Sequence, residues 1–216
     1  MLDYDFKNKS VFICASPHLF VRDQDEDDPI VTEGCISFVT EHGFFAALGH
    51  NENPNSLPYE EAGVYALPED EEEPLLAGQV LCSTPAGIYG AFYDDYTPPV
   101  VAQLEIAALQ DLEADTAAEL WMPIESGELH VFKGTIVALF PDKPHPVLFL
   151  VQDESFPGAS FGSSGSVIVQ GGKLVAILAG ANDDPATLLY CTSAEQMAED
   201  LGRMMLELAT TEEGTE

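Results

Sequence analysis

The sequence predicts an all-β fold of antiparallel strands that ends in one α-helix. Short runs of β-branched, aromatic and apolar residues alternate with Gly, Pro and Asp turns, which is typical of a barrel or sandwich. The segment after Ser193 has instead the apolar spacing of a helix. With 216 residues, 46% of them apolar, the chain is long enough to bury a sizeable core.

The strand pattern recurs along the whole chain. The predicted strands are residues 10–15, 35–40, 44–48, 78–82, 87–93, 100–106, 118–123, 130–140, 147–152, 167–170 and 173–179. Glu41-His42-Gly43 predicts a turn between the second and third of these strands. Gly171-Gly172 predicts a hairpin between the last two, because two glycines can adopt the positive φ angles of a two-residue turn.

The C-terminal segment predicts a helix over residues 193–209. Ser193 and Gln196 have the spacing of a capping box. The apolar stripe that follows comprises Met197, Leu201, Met204, Met205 and Leu208. A second helical pattern, Leu109 to Leu120, is interrupted by Asp and Thr. We therefore expect one domain over 1–209, with halves of roughly 1–95 and 96–192 plus the helix, and a flexible acidic tail over 210–216.

Charge limits the classes of partner. The chain has 7 Lys and Arg against 38 Asp and Glu, a formal net charge of −31. Phosphate binding needs clustered cations, so we expect neither a nucleic-acid nor a membrane partner. Solubility or adaptation to salt explains this charge more simply than a functional field does. The acidic runs 23–28 and 69–73 could hold calcium, but neither has EF-hand spacing, and we expect no metal or cofactor.

The sequence also indicates a compartment. Its first residues lack the basic start and apolar core of a signal peptide, and no apolar run approaches the roughly 20 residues that span a bilayer. The four cysteines, Cys14, Cys35, Cys82 and Cys191, include no Cys-x-x-Cys pair. We expect buried thiols in a cytoplasmic protein.

One motif in the sequence is typical of a catalytic site. Gly162-Ser163-Ser164-Gly165 enters an apolar strand, and such a turn can expose the Ser164 hydroxyl as a nucleophile. The backbone N–H groups of Gly162 and Ser164 would then form an oxyanion hole. His50 ends an apolar strand earlier in the chain and would be the base. A histidine that precedes the serine matches trypsin-like barrels and not α/β-hydrolases. Gly-x-Ser-Gly by itself is a weak signal, because most such strings are flexible turns.

Between about Val21 and Gln196 the chain resembles the SpoIVB-type sporulation serine peptidases. The segments that carry the resemblance are Val21-Arg22-Asp23, Gly34 to Phe38, Phe44 to His50, Gly87 to Gly90, Gly162 to Ser166 and Gly172 to Val175. The resemblance implies a trypsin-like double β-barrel of antiparallel strands with a C-terminal α-helix. The chain departs from the family at Ser163, where the family has Met, and at Val167, where it has Pro. The membrane anchor and PDZ domain of the family are not found in this sequence.

Carried over to this sequence, the resemblance implies His50 as general base, Ser164 as nucleophile and Asp153 as the acid. The interval from Asp153 to Ser164 is shorter than is usual in the family. Asp94 or Asp95, which lie between the histidine and the serine in the sequence, are therefore alternatives.

Three functions are compatible with these patterns. The first is a serine endopeptidase that acts on protein or peptide substrates. The second is a catalytically inactive peptidase-fold protein that binds a peptide or protein. The third is an acidic decoy or cation-binding protein, which only the net charge favours. The sequence does not specify the oligomeric state.

Overall fold

The computed structural model describes residues 10–14, 19–22, 32–48, 63–66, 75–123, 129–159, 163–182 and 187–213. These residues form fifteen strands in one continuous sheet, a 3₁₀ helix at Leu109–Asp111 and one α-helix. The strands are β1 Ser10–Cys14, β2 Leu19–Arg22, β3 Thr32–Gly34, β4 Ile36–Val39, β5 Phe44–Ala47, β6 Gly63–Ala66, β7 Leu75–Thr84, β8 Gly87–Phe92, β9 Val100–Ile106, β10 Thr116–Pro123, β11 Leu129–Leu139, β12 Val147–Val151, β13 Val167–Gln170, β14 Lys173–Ala181 and β15 Leu188–Ser193. The helix, α1, spans Ala194–Glu213.

Six strands close into an antiparallel barrel. Their order is β13-β10-β11-β12-β15-β14, and β14 pairs back with β13. The interior is filled by large apolar side chains, among them Leu120, Ile136, Phe149 and Leu189, each fully buried. Burying a side chain of this size stabilises the fold by roughly 1.5–3 kcal/mol. This barrel forms most of the predicted C-terminal half.

The remaining strands continue the sheet in the order β9-β1-β4-β5-β8-β7-β6-β2-β3. β9 lies in the predicted C-terminal half, yet it pairs along its length with β1 and, in parallel, with the start of β14. It therefore joins the two halves of the sheet. The all-β prediction with one C-terminal helix is confirmed.

Helix α1 packs its apolar stripe against both halves. Met197, Leu201, Met204 and Met205 are buried in the core that lies between β1, β5, β8 and β14. Leu208, predicted to belong to the same stripe, is 38% exposed. Leu208 therefore does not belong to the buried face of the helix.

Helix α1 begins at the predicted N-cap but ends later than predicted. The Gln196 N–H donates to Ser193 Oγ at 3.3 Å, which confirms Ser193 as the N-cap. The Gln196 side chain does not return to the cap, as a capping box would require, but donates to Asp200 at 3.2 Å. The helix ends at Glu213 and not at residue 209, so the first part of the predicted tail is helical. No glycine or proline interrupts the chain between Arg203 and Gly214.

Both predicted hairpins are confirmed. Gly171 and Gly172 have φ angles of 58° and 79°, and they join Gln170 to its register partner Lys173. Gly43, with a φ of 78°, makes the turn between β4 and β5.

Sequence patterns do not reveal four of the strands, β2, β3, β6 and β15. β15 runs directly into α1, and no turn residue separates the two elements. The helical pattern over 109–120 is wrong: after the 3₁₀ turn the chain enters β10 at Thr116.

All four cysteines are free thiols. Burial raises the pKa of Cys14 and Cys35 to about 12, and it also raises the pKa of the fully buried Cys191. Within the described ranges, no helix has the length and apolar character needed to traverse a bilayer.

Candidate active site

The Ser164 turn lies between β12 and the start of β13. The backbone N–H and the hydroxyl of Ser166 both donate to the Ser163 carbonyl, at 3.1 and 2.7 Å. These bonds close a tight turn whose second and third residues are Ser164 and Gly165. Ser164 itself is buried, with 9% of its surface exposed.

Backbone contacts on two sides fix this turn to the sheet. The Cys35 N–H donates to the Ser164 carbonyl at 2.7 Å, just before β4. On the other side, the Gly165 N–H donates to the Leu178 carbonyl at 2.9 Å, and the Leu178 N–H donates to the Ser166 carbonyl at 2.8 Å. The turn is therefore held between the two halves of the molecule.

Gly165 is required by this arrangement. Its φ of +93° lies in the region that glycine adopts without strain. A Cβ at this position would also overlap the backbone carbonyl of Cys35. The last glycine of the Gly-x-Ser-Gly motif is therefore needed both for its φ angle and for its contact with the Cys35 backbone.

The Cys35 contact brings the turn to the end of the strand that leads to His50. Cys35 directly precedes Ile36, and Ile36 is the register partner of Ala47, the last residue of β5. His50 follows Ala47 by three positions. His50 and Gly162 both lie outside the described residues. The roles assigned to His50, Ser164, Asp153 and the two oxyanion-hole amides all stay predictions.

Asp153 lies just after β12 and caps a local turn. Its Oδ1 accepts from the Ser155 N–H at 3.0 Å and from the Ser155 hydroxyl at 2.6 Å. The Phe156 N–H donates to its carbonyl at 3.1 Å. The Ser155 bonds lower the pKa of the Asp153 carboxyl, the side-chain bond most of all. This carboxylate is ionised at neutral pH, but one of its oxygens is already engaged with Ser155.

The alternative acids lie at the other end of β5. β8 runs antiparallel to β5, with Ile88 opposite Ala47, and the Phe92 N–H donates to the Gly43 carbonyl at 2.9 Å. Asp94 and Asp95 follow Phe92, so they lie beside the start of β5. The segment that leads to His50 leaves from its opposite end.

Sequence reasoning missed the residues that hold the Ser164 turn in place. Cys35 and Leu178 act through their backbone groups and are 129 and 14 positions from Ser164. The residue types at these two positions do not reveal their backbone hydrogen bonds. Within the motif, Gly165 is the one residue that indicates that another backbone lies close by. Sequence reasoning also missed Asp200 of α1, a carboxylate that is only 8% exposed.

The described residues contain no group of three or more His, Cys, Asp or Glu side chains arranged to hold a metal ion. Both acidic runs considered for calcium, 23–28 and 69–73, lie outside the part of the chain that the structure describes. Calcium binding by these two runs therefore stays a hypothesis from the sequence.

No protein-family model and no curated relative matches the sequence. Solved structures do match the fold. The active form of the Rv3671c protease from M. tuberculosis has a TM-score of 0.52 and 17% identity, covering 92% of this chain and 82% of its own. The HtrA-type protease AlgW with a tripeptide has a TM-score of 0.55 and 10% identity, covering 96% and 65%. AlgW with a decapeptide has a TM-score of 0.54 and 10% identity, covering 94% and 68%. At this identity the similarity concerns the backbone: the chain has the fold of trypsin-like serine proteases.

Proposed function

We propose that the chain is a serine endopeptidase in which Ser164 is the nucleophile and His50 the general base. The observation that carries the proposal is the Cys35–Ser164 backbone bond, which places the Ser164 turn beside the end of β5. The similar fold of three solved protease structures supports the same reaction class.

In the proposed reaction, Ser164 Oγ attacks the carbonyl carbon of the scissile peptide bond while His50 takes the hydroxyl proton. The Gly162 and Ser164 N–H groups stabilise the negative charge that develops on the carbonyl oxygen. The C–N bond breaks as His50 returns the proton to the leaving amine. Water then attacks the acyl-enzyme while His50 takes a proton from it. His50 returns this proton to Ser164 Oγ as the acyl group is released.

Asp153 is the proposed acid that orients His50. Its lowered pKa keeps it ionised, as that role requires. The assignment rests on the resemblance to SpoIVB-type peptidases, which we propose as relatives of this chain. Since Ser155 occupies one oxygen of the carboxylate, only the other oxygen is available for an imidazole.

Protein or peptide chains are the proposed substrates. A net charge of −31 disfavours nucleic acid and acidic membrane surfaces as partners. We also propose a reducing compartment, the cytoplasm, because four free cysteines, three of them buried, are typical of proteins that are not exposed to oxidation.

A fluorophosphonate probe, which reacts with activated serines, tests the proposal. We expect the wild-type protein to be labelled at Ser164. Labelling should vanish in Ser164→Ala and fall by at least about 100-fold in His50→Ala, because a missing general base removes about that much rate. Ser83→Ala, at an exposed serine of β7, is the matched control and should label like the wild type. A folded wild-type protein that takes up no probe contradicts the proposal.

The engaged Asp153 carboxylate favours a second candidate, an inactive protein of the same fold that binds peptides. Such a protein would retain substrate-like peptides without cleaving them and would take up no probe. Asp153→Asn separates the two: a large loss of labelling shows that the carboxylate serves catalysis, whereas an unlabelled wild-type protein that binds peptides supports the binding module.

A further inference from the structure

Asp200 is a buried carboxylate that the proposed reaction does not use. It lies in the second turn of α1 and is 8% exposed. Its Oδ2 accepts from the Thr84 hydroxyl at 3.0 Å and from the Tyr89 hydroxyl at 3.4 Å. Its Oδ1 faces the Gln196 amide at 3.2 Å and the Arg203 guanidinium at 3.4 Å. One side chain thus connects the C-terminal helix to both strands of the β7–β8 hairpin.

The Thr84 contact fixes the turn of that hairpin. Thr84 Oγ1 donates to Asp200 and accepts from the Ala86 N–H at 3.1 Å. The turn continues into Gly87, which lies against the end of β5. A Cβ on Gly87 would be 2.9 Å from the Ala47 carbonyl and 2.7 Å from Met197 of α1. Turn, strand end and helix are therefore in direct contact at this point.

The Tyr89 contact fixes the strand beside it. Tyr89 is fully buried and is the register partner of Ala46 on β5. Burial raises the pKa of its phenol, so the hydroxyl keeps its proton and donates it to the carboxylate. Asp200 thus bonds Tyr89, the register partner of Ala46, and Thr84, which lies in the turn whose Gly87 contacts the Ala47 carbonyl.

We propose that Asp200 is a positioning residue of the active site: through Thr84 and Tyr89 it fixes the end of β5 that leads to His50. The nucleophile is held from the other side of the same strand end, by the Cys35 contact. The two anchors together hold the end of β5 from both sides, with the Ser164 turn on one of them. This inference rests on the proposed function.

A structural role alone explains such a carboxylate poorly. Buried charge is unfavourable unless its hydrogen bonds are complete, and an apolar side chain of similar size commonly gives equal or greater stability. Arg203, the cation beside it, is 63% exposed and so compensates only in part. What the carboxylate supplies is a defined geometry between three elements.

Isosteric variants separate positioning from packing. Thr84→Val and Tyr89→Phe each remove one hydroxyl and keep the side-chain shape, and Asp200→Asn removes the charge. The fluorophosphonate probe gives two constants, the maximal rate of inactivation and the half-saturating probe concentration. We expect the rate to fall about 10- to 100-fold, since sub-ångström misplacement of a catalytic group has effects of this order, while the half-saturating concentration changes less than about twofold.

Thr84→Ser retains the hydroxyl and should restore the rate to within about twofold of wild type. Thr210→Val is the matched control, because it removes a hydroxyl that bonds the Glu207 carbonyl on the exposed side of α1, away from the β7–β8 hairpin. Rates are measured well below the unfolding temperature, with circular dichroism to show that each variant is folded.

Variants that unfold at lower temperature but keep the wild-type rate overturn the inference and leave the proposed function intact. If Tyr89→Phe does not fold, Thr84→Val and its Thr84→Ser rescue decide the matter. A wild-type protein that takes up no probe overturns the proposed function itself, and this inference with it.

Discussion

Gly165 has the most constrained backbone of the residues around Ser164. Two separate demands meet there, a φ of +93° and contact with the Cys35 carbonyl. Gly172 meets only the first, with a φ of 79° and open space around it. Substitutions at these two glycines therefore distinguish the cost of a positive φ from the cost of disturbing the contact between the Ser164 turn and Cys35.

We expect Gly165→Ala to destabilise the protein by more than the roughly 1–3 kcal/mol that positive φ alone costs a residue with a side chain, and to abolish probe labelling. Gly172→Ala should lower the free energy of unfolding by about 1 kcal/mol and leave labelling unchanged. Urea unfolding measures the first quantity and the probe the second. Equal effects of the two substitutions would mean that the Cys35 contact does not constrain the turn.

Asp153 gives a pH dependence of defined sign. Its pKa in the folded protein lies below the ordinary value of 3.8, so its contribution to stability is full above that pH and is lost as pH falls through the lowered pKa. In Ser155→Ala, which lacks the stronger of the two Ser155 hydrogen bonds to Asp153, the pKa should rise toward 3.8. Titration of the Asp153 carboxyl carbon by NMR measures the shift directly.

The stability difference between wild type and Ser155→Ala should accordingly be largest near neutral pH and shrink in acid. A difference that grows on acidification would contradict the sign of the shift. Asp142→Asn, at an exposed carboxylate in another loop, serves as the comparison.

Among the elements, α1 is the one on which both halves depend. Its buried methionines and leucine pack against strands from either half, and Asp200 adds polar contacts to the β7–β8 hairpin. Its start is defined by a single side chain, Ser193, because the predicted reciprocal contact from Gln196 is made with Asp200 instead. The first turn of the helix therefore relies on one cap.

Ser193→Ala should lower the free energy of unfolding by about 1 kcal/mol, the usual contribution of a serine N-cap. Ser193→Thr keeps an oxygen at the cap and should lose less. Gln196→Ala removes no side-chain contact to the cap. It should therefore weaken the start of the helix less than Ser193→Ala does. Thermal unfolding followed by circular dichroism compares the three, and a neutral Ser193→Ala would show that the cap bond is not needed.

Across the whole molecule, the excess of negative charge works against the folded state. Seven basic residues cannot pair with 38 carboxylates, so most acidic side chains repel one another across the surface. One ion pair of the described surface, Lys173 with Glu105 at 3.3 Å, is exposed on both sides and contributes little. The fold must be stable despite this repulsion.

We expect the unfolding temperature to rise by several degrees between about 0.01 and 0.1 M NaCl, because the screening length falls from about 30 to about 10 Å over that range. Calcium chloride at matched ionic strength should give a similar rise. A much larger rise with calcium would instead indicate a specific cation site and revive the cation-binding hypothesis, and no rise at all would show that the repulsion is negligible.

Local features of this protein follow from its amino-acid sequence alone. The paired glycines 171–172, the Ser193 cap and the strands 100–106 and 167–170 are set by neighbours along the chain, through φ preferences, capping and burial pattern. The choice of Ser164 and His50 also rests on local strings and a resemblance.

How these pieces meet depends on the folded chain. The contacts of Ser164 with Cys35 and of Asp200 with Thr84 and Tyr89 join positions more than a hundred residues apart. The pairing of β9 with both β1 and β14 likewise joins distant parts of the sequence. Backbone hydrogen bonds and register depend on which surfaces are buried together, and residue type at one position does not encode that. The placement of the Ser164 turn is therefore a property of the sheet and helix, not of the motif alone.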